Sequence, residues 1–201
     1  MNPMEKIAVP EQPIPFGYKI SWLCIQSEEP QTVMSALGLN GVPCGWTAGL
    51  ERAGEDGAVF VSPVLDGFVL VIGWMTEDLD ELTALTENVP SLQYYASHRM
   101  VDYYAWASFR AGELFRAYAY SGEEDEVLWD KGTLTAEEIA LGGERFQRQD
   151  EEPDWDSVEY PDEETVLSLA AAWGIDPAFS EKQYPAALGW LCEREKHTGG
   201  L

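Results

Sequence analysis

The sequence predicts an α+β protein: an antiparallel sheet of about six strands, made of a hairpin over 58–74 and a meander over 91–129, with helices packed on it. Three observations carry that expectation. Two apolar runs, AVFVSPV and FVLVIGW, flank Leu65-Asp66-Gly67, and Asp-Gly between apolar runs is a hairpin-turn signal. Three aromatic-rich runs, 92–100, 102–109 and 113–121, follow one another with only short breaks between them, as meander strands do. Segments carrying helix caps and stops lie outside these runs.

Taken in order, residues 1–17 hold Pro3, Pro10, Pro13 and Pro15 and read as an extended arm ahead of one α+β domain over 18–196. The run YKISWLCIQ (18–26) is rich in β-branched and aromatic residues and reads as a strand. Ser27, Glu28, Glu29 and Pro30 then supply a cap, acidic first-turn residues and a proline suited to the first helical position. A helix runs from there to about Leu37, where Gly38 stops it. Residues 39–57 carry five glycines and read mostly as loop, anchored by Trp46 and Leu50. In the hairpin, the second run is apolar at every position from Phe68 to Ile72, which predicts a central strand covered on both faces. Leu79, Leu82 and Leu85, three residues apart, place a short helix within 76–88, ahead of Pro90. The middle meander run alternates Tyr104, Trp106 and Ser108 with Ala105, Ala107 and Phe109, and a short strand follows at 127–129. Thr135 and Glu138 make a capping box for a helix of one or two turns that Gly142 and Gly143 stop. Residues 163–173 present Val166, Leu167, Leu169, Ala170 and Trp173 on one helical face, with Gly174 as stop. Residues 185–195 read as a closing helix with Leu188, Leu191 and Cys192 inward.

Charge sets this chain apart. Its 201 residues hold 36 acids against 12 Lys and Arg, a net charge of −24. Charged residues are an ordinary 24% of the total, so the anomaly is a shortage of cations. Such a surface repels phosphate, which argues against nucleic acid and against anionic lipid as partners. No run of apolar residues is long enough to span a bilayer, and the N-terminus has no apolar signal core. Three scattered cysteines, Cys24, Cys44 and Cys192, form no disulfide framework and fit a reducing, cytoplasmic setting. The acids are also unevenly placed: residues 121–164 hold 17 acids and 3 bases, and 150–164 hold nine acids and no base. A pure solvating tail lacks aromatics, whereas Trp155 and Tyr160 sit inside this run as an anchor would within a charged rim. The same two rings would equally serve to pin the segment to the protein's own core.

Chemistry is harder to find. No EF-hand spacing aligns: fitting Gly132 and Glu138 to that motif puts Val127, Trp129 and Lys131 at ligand positions. Gly38-Leu-Asn-Gly41 and Gly54-Glu-Asp-Gly57 lack the Lys-Ser/Thr of a phosphate loop, and the acids Glu55 and Asp56 would repel phosphates. Cys44, His98 and Asp102 compose a nucleophilic set on paper, but nothing in the sequence brings Cys44 to His98. The expectation is therefore no catalytic residue, no metal ligand and no cofactor.

The segments GAVFVSPVLDGFVLVIGW (57–74) and YYAWASFRAGELFRAYAYSGEEDEVLWDKGTLTAEE (103–138) resemble a bacterial family of uncharacterised cytoplasmic proteins, over most of 18–192. That resemblance implies no catalytic residues. In size, acidity and α+β pattern the chain is also similar to immunity proteins of interbacterial toxin systems. The leading expectation is a non-enzymatic inhibitor that occludes a basic protein, such as a toxin. Glu123, Glu124, Asp125, Glu126, Asp154, Asp156 and Glu159 would steer the partner, and Trp155 and Tyr160 would add affinity. The alternatives are a ligand-binding or enzymatic domain with an aromatic cleft around Trp46, Trp106 and Trp129, and an acidic protein of unassigned role.

Overall fold

In the computed structural model, which describes residues 8–149 and 157–194, nine strands form one antiparallel sheet. They are β1 (Ile20–Gln26), β2 (Asn40–Cys44), β3 (Ala58–Val61), β4 (Phe68–Ile72), β5 (Leu92–His98), β6 (Tyr103–Arg110), β7 (Glu113–Ser121), β8 (Glu126–Gly132) and β9 (Gly189–Glu193). Their spatial order is β2-β9-β3-β4-β1-β5-β6-β7-β8. Five α-helices accompany the sheet among the described residues: α1 (Pro30–Ala36), α2 (Trp46–Arg52), α3 (Leu79–Leu85), α4 (Ala136–Ala140) and α5 (Glu163–Trp173).

The expected sheet of about six strands is thereby corrected to nine. Two of the extra strands come from misread segments. The expected closing helix over 185–195 is instead β9, which lies between β3 and β2 and pairs with both. Its 188, 191, 192 spacing imitates a helical face, but the pairing that fixes it comes from residues more than 120 positions upstream. The expected loop over 39–57 contains β2 and α2. Pro43 is tolerated in β2 because this is an edge strand, where a missing N–H breaks no interior ladder.

Two cores cover the two faces of the sheet. Along β4, Val69 and Val71 enter one cluster while Leu70 and Ile72 enter the other, so the unbroken apolar run does mark a strand buried on both sides. Helices α1 and α3 cover the first face through Val33 and Leu82. Helices α2 and α5 cover the second through Trp46, Val166, Leu169 and Ala170. On that second face, consecutive register partners Trp22, Tyr95, Trp106 and Tyr118 form an aromatic row across β1, β5, β6 and β7. Trp22 stacks on Tyr95 at 5.2 Å and Trp106 on Tyr118 at 4.9 Å, each contributing about 0.5–1.5 kcal/mol beyond burial. The first face carries small residues in the matching row, Ala96, Ala105 and Ala119, with Trp129 at its end. These alanines leave room for the Trp129 ring to come within 6.1 Å of Tyr94.

A buried ionic cluster ties α4 to the sheet. The capping box is formed, and the same Glu138 carboxylate also accepts from Trp106 Nε1 (2.8 Å) and from Arg116 Nε (2.8 and 3.0 Å). Arg116 is fully buried, and its Nη1 reaches Asp130 Oδ1 at 2.7 Å.

Candidate functional site

One end of the sheet gathers the acids. The turn between β7 and β8 exposes Glu123, Glu124, Asp125 and Glu126. It lies against the turn between β5 and β6, where Asp102 adopts the left-handed conformation (φ 47°) and its carbonyl accepts from Gly122 N at 3.0 Å. A Cβ at Gly122 would stand 2.5 Å from the Asp102 Cβ, so glycine is what lets the two turns meet.

Helix α5 brings a second group. Asp162 caps it by accepting from Thr165 N at 2.8 Å, and Glu163 and Glu164 occupy its first turn, where acids suit the positive end of the helix. Tyr18 donates its hydroxyl to Glu164 Oε1 at 3.3 Å. Glu163 Oε2 lies 3.7 Å from Arg99, while Glu163 Oε1 is buried with no hydrogen-bond partner.

Tyrosines join the two groups. The Tyr160 ring packs 4.6 Å from that of Tyr120, whose hydroxyl donates to Asp125 Oδ1 at 3.3 Å. Tyr104, next to Tyr120 in the β6–β7 register, stands between Asp102, Asp162 and Glu163. The phenols report the resulting field. Burial, then the carboxylates of Asp102, Glu163 and Asp162, push Tyr104 up to about 12. Burial and then Asp125 push Tyr120 up to about 12 as well. The Glu164 carboxylate raises the exposed Tyr18, and burial followed by Asp125 raises Tyr160.

Of the residues singled out from sequence, the structure thus brings together Asp125 and Tyr160 through Tyr120. Glu123, Glu124 and Glu126 share the turn with Asp125. Glu159 is engaged locally: its carboxylate pairs with Arg145 at 2.9 Å and its N–H bonds the Arg145 carbonyl at 2.8 Å. Asp154, Trp155 and Asp156 lie outside the described residues. Sequence reasoning missed Tyr18, Asp102, Tyr104 and Tyr120, whereas Glu163 and Glu164 in the first turn of α5 belong to the acidic 150–164 run it singled out. The signals were an Asp between two aromatic runs, which suits a left-handed turn position, and a glycine just ahead of the acidic turn.

The other constellations do not assemble. Cys44 on β2 and His98 on β5 are five strand positions apart, about 24 Å at about 4.8 Å per strand. Trp46 and Trp106 belong to one core and Trp129 to the other, all three buried, so they line no common cleft. Among the described residues, no three His, Cys, Asp or Glu side chains are grouped as metal ligands would be, and no helix is long and apolar enough to cross a membrane. No family model, no curated protein and no solved structure matches this chain.

Proposed function

We propose that the protein is a non-enzymatic binding protein that captures a basic protein on the acidic, tyrosine-bearing end of its sheet. Two turns and a helix start, far apart in sequence, converge there on the buried rings of Tyr104 and Tyr120 and the exposed rings of Tyr18 and Tyr160. The observation that carries the reading is the convergence of Asp102, Asp125 and the acids at the start of α5 around Tyr104 and Tyr120, where Glu163 meets Arg99 only at 3.7 Å and its other oxygen has no donor. A partner's guanidinium or ammonium would be held by the exposed carboxylates of Glu123, Glu124, Asp125, Glu126 and Glu164. The surrounding acids raise the encounter rate with such a partner, and the Tyr18 and Tyr160 rings give its stem a surface to lie on.

An inhibitor that occludes the cationic cleft of a toxin is the role this chemistry suits best, as in the immunity proteins that the chain resembles in size and acidity. Such a protein works in the cytoplasm. The test is affinity capture from the host lysate by the tagged full chain, washed first at low and then at high salt. One basic protein retained in stoichiometric amount and released by salt is the expected result. Retention of nothing, or of a chain indifferent to salt, overturns the proposal.

A further inference from the structure

On the opposite face of the sheet, at the same end, a pocket of about 510 Å³ opens between β1, β5 and β6 and the 75–77 segment that follows β4. The segment is pinned over the sheet by two hydrogen bonds. Ser21 Oγ donates to the Trp74 carbonyl at 2.6 Å, and Tyr94 Oη donates to the Thr76 carbonyl at 2.5 Å. Those bonds consume the protons of both hydroxyls, and the Tyr94 oxygen faces the hydroxyls of Tyr103 and Ser21. Tyr103 also lines the pocket and is 7% exposed; its hydroxyl points its proton toward the Tyr94 oxygen, and its own lone pairs accept from no donor among the described residues. His98, the register partner of Tyr103, has its Nδ1 buried and without a partner.

We infer that this pocket binds a primary alkylammonium group, with the Tyr103 hydroxyl and Glu77 as its principal acceptors. Four features select that chemistry. The pocket is rich in acceptors, and no Lys or Arg lines it. Glu77 and Glu123 stand at it as carboxylates with no ion pair among the described residues, so an anion is repelled. The Glu77 charge is close enough to both tyrosines to hold their ionisation up further, after burial, which keeps both phenols neutral. Ile20, Ala96 and Val101 supply apolar surface for an alkyl stem. Glu77, Glu123 and His98 are not grouped as a metal ion would require.

An alkylammonium reaches this pocket either as a free amine or as the lysine side chain of a bound protein. Glu123 borders both sites, but the proposal does not rest on capture of a basic protein, since the pocket faces away from Tyr104, Tyr120 and Tyr160 and its principal acceptors are Tyr103 and Glu77. Isothermal titration of the full chain with n-butylamine, cadaverine and Nα-acetyl-lysine methylamide tests it, with 1-pentanol as the uncharged analogue. Saturable binding of an amine and none of the alcohol is expected. Tyr103→Phe and Glu77→Gln are each expected to weaken it at least tenfold, and Glu144→Gln, remote from the pocket, to leave it unchanged. Binding of the lysine derivative assigns the site to a protein side chain, and binding of cadaverine or butylamine alone assigns it to a free amine. Glu77 is exposed, so its substitution tests binding whatever Tyr103→Phe does to folding. The absence of saturable binding by all three amines, or equal binding by the two pocket variants, overturns the inference.

Discussion

Replacing Glu138 by Ala removes a carboxylate that accepts from three donors, Trp106 Nε1, Thr135 N and Arg116 Nε, whose single N–H is shared between both oxygens. What remains is the larger matter. Arg116 and Glu138 are both about 1% exposed along their side chains, so the guanidinium stays desolvated with only Asp130, 2.7 Å from Nη1, to balance it. Breaking a buried pair by removing one partner costs about 3–5 kcal/mol. The lost α4 capping interaction overlaps with that figure rather than adding in full. The expectation is a loss of about 4 kcal/mol, read as a lower urea midpoint at an unchanged slope. Glu138→Gln falls short of rescue, because the amide turns a donor toward Arg116 Nε or Thr135 N. Replacing both partners with apolar residues of similar volume, as in Arg116→Met with Glu138→Met, recovers most of the loss, since no unpaired charge is left at that pair. A Glu138→Ala midpoint equivalent to less than about 1 kcal/mol of destabilisation would refute the reasoning.

Gly49→Ala in α2 places a Cβ 2.1 Å from the Phe60 ring; a helix gain of about 1 kcal/mol is outweighed by overpacking of about 1–3 kcal/mol, so thermal melting should show a net loss. Burial pushes Cys24 up to about 12 and Cys192 up to about 11, and the half-buried Cys44 is raised too, so a disulfide reagent at pH 8 should label Cys44 first and slowly. Rapid native labelling of Cys24 would contradict that packing. Tyr104 and Tyr120 ionise near 12 when folded and near 10 when unfolded, so the folded state binds the protons more tightly. Their contribution is present in full below pH 10 and is lost as pH rises to about 12, and the urea midpoint should fall through that window. A midpoint flat through pH 12 argues against the burial of these phenols. Neutralising Asp154, Asp156 and Glu159 together should slow association with a basic partner and flatten its salt dependence, measured by stopped flow.

What could be read from sequence was local. The apolar run Phe68–Ile72 announced its burial because a strand covered on both faces has no polar side to show. The capping box Thr135–Glu138 was legible for the same reason, since both partners sit within four residues. That its glutamate also neutralises Arg116 was not legible, because β7 and α4 meet only through the fold. The strand β9 was misread because its partners, β2 and β3, leave no trace in its own five residues. The candidate site divides along the same line. Charge density pointed to the 123–126 turn and to 150–164, but Asp102, Tyr104 and Tyr120 enter through strand register, which composition does not encode, and it is helix docking that brings Glu163 to them.

The most direct test of the acidic sheet end is capture from the host lysate with two baits side by side, the full chain and its Asp125→Asn, Glu126→Gln, Glu163→Gln, Glu164→Gln variant. Matching melting profiles of the two baits are checked first. A basic protein held in stoichiometric amount by the first bait at low salt and lost from the second is the predicted result. Equal retention by both baits, or retention by neither, would contradict the account.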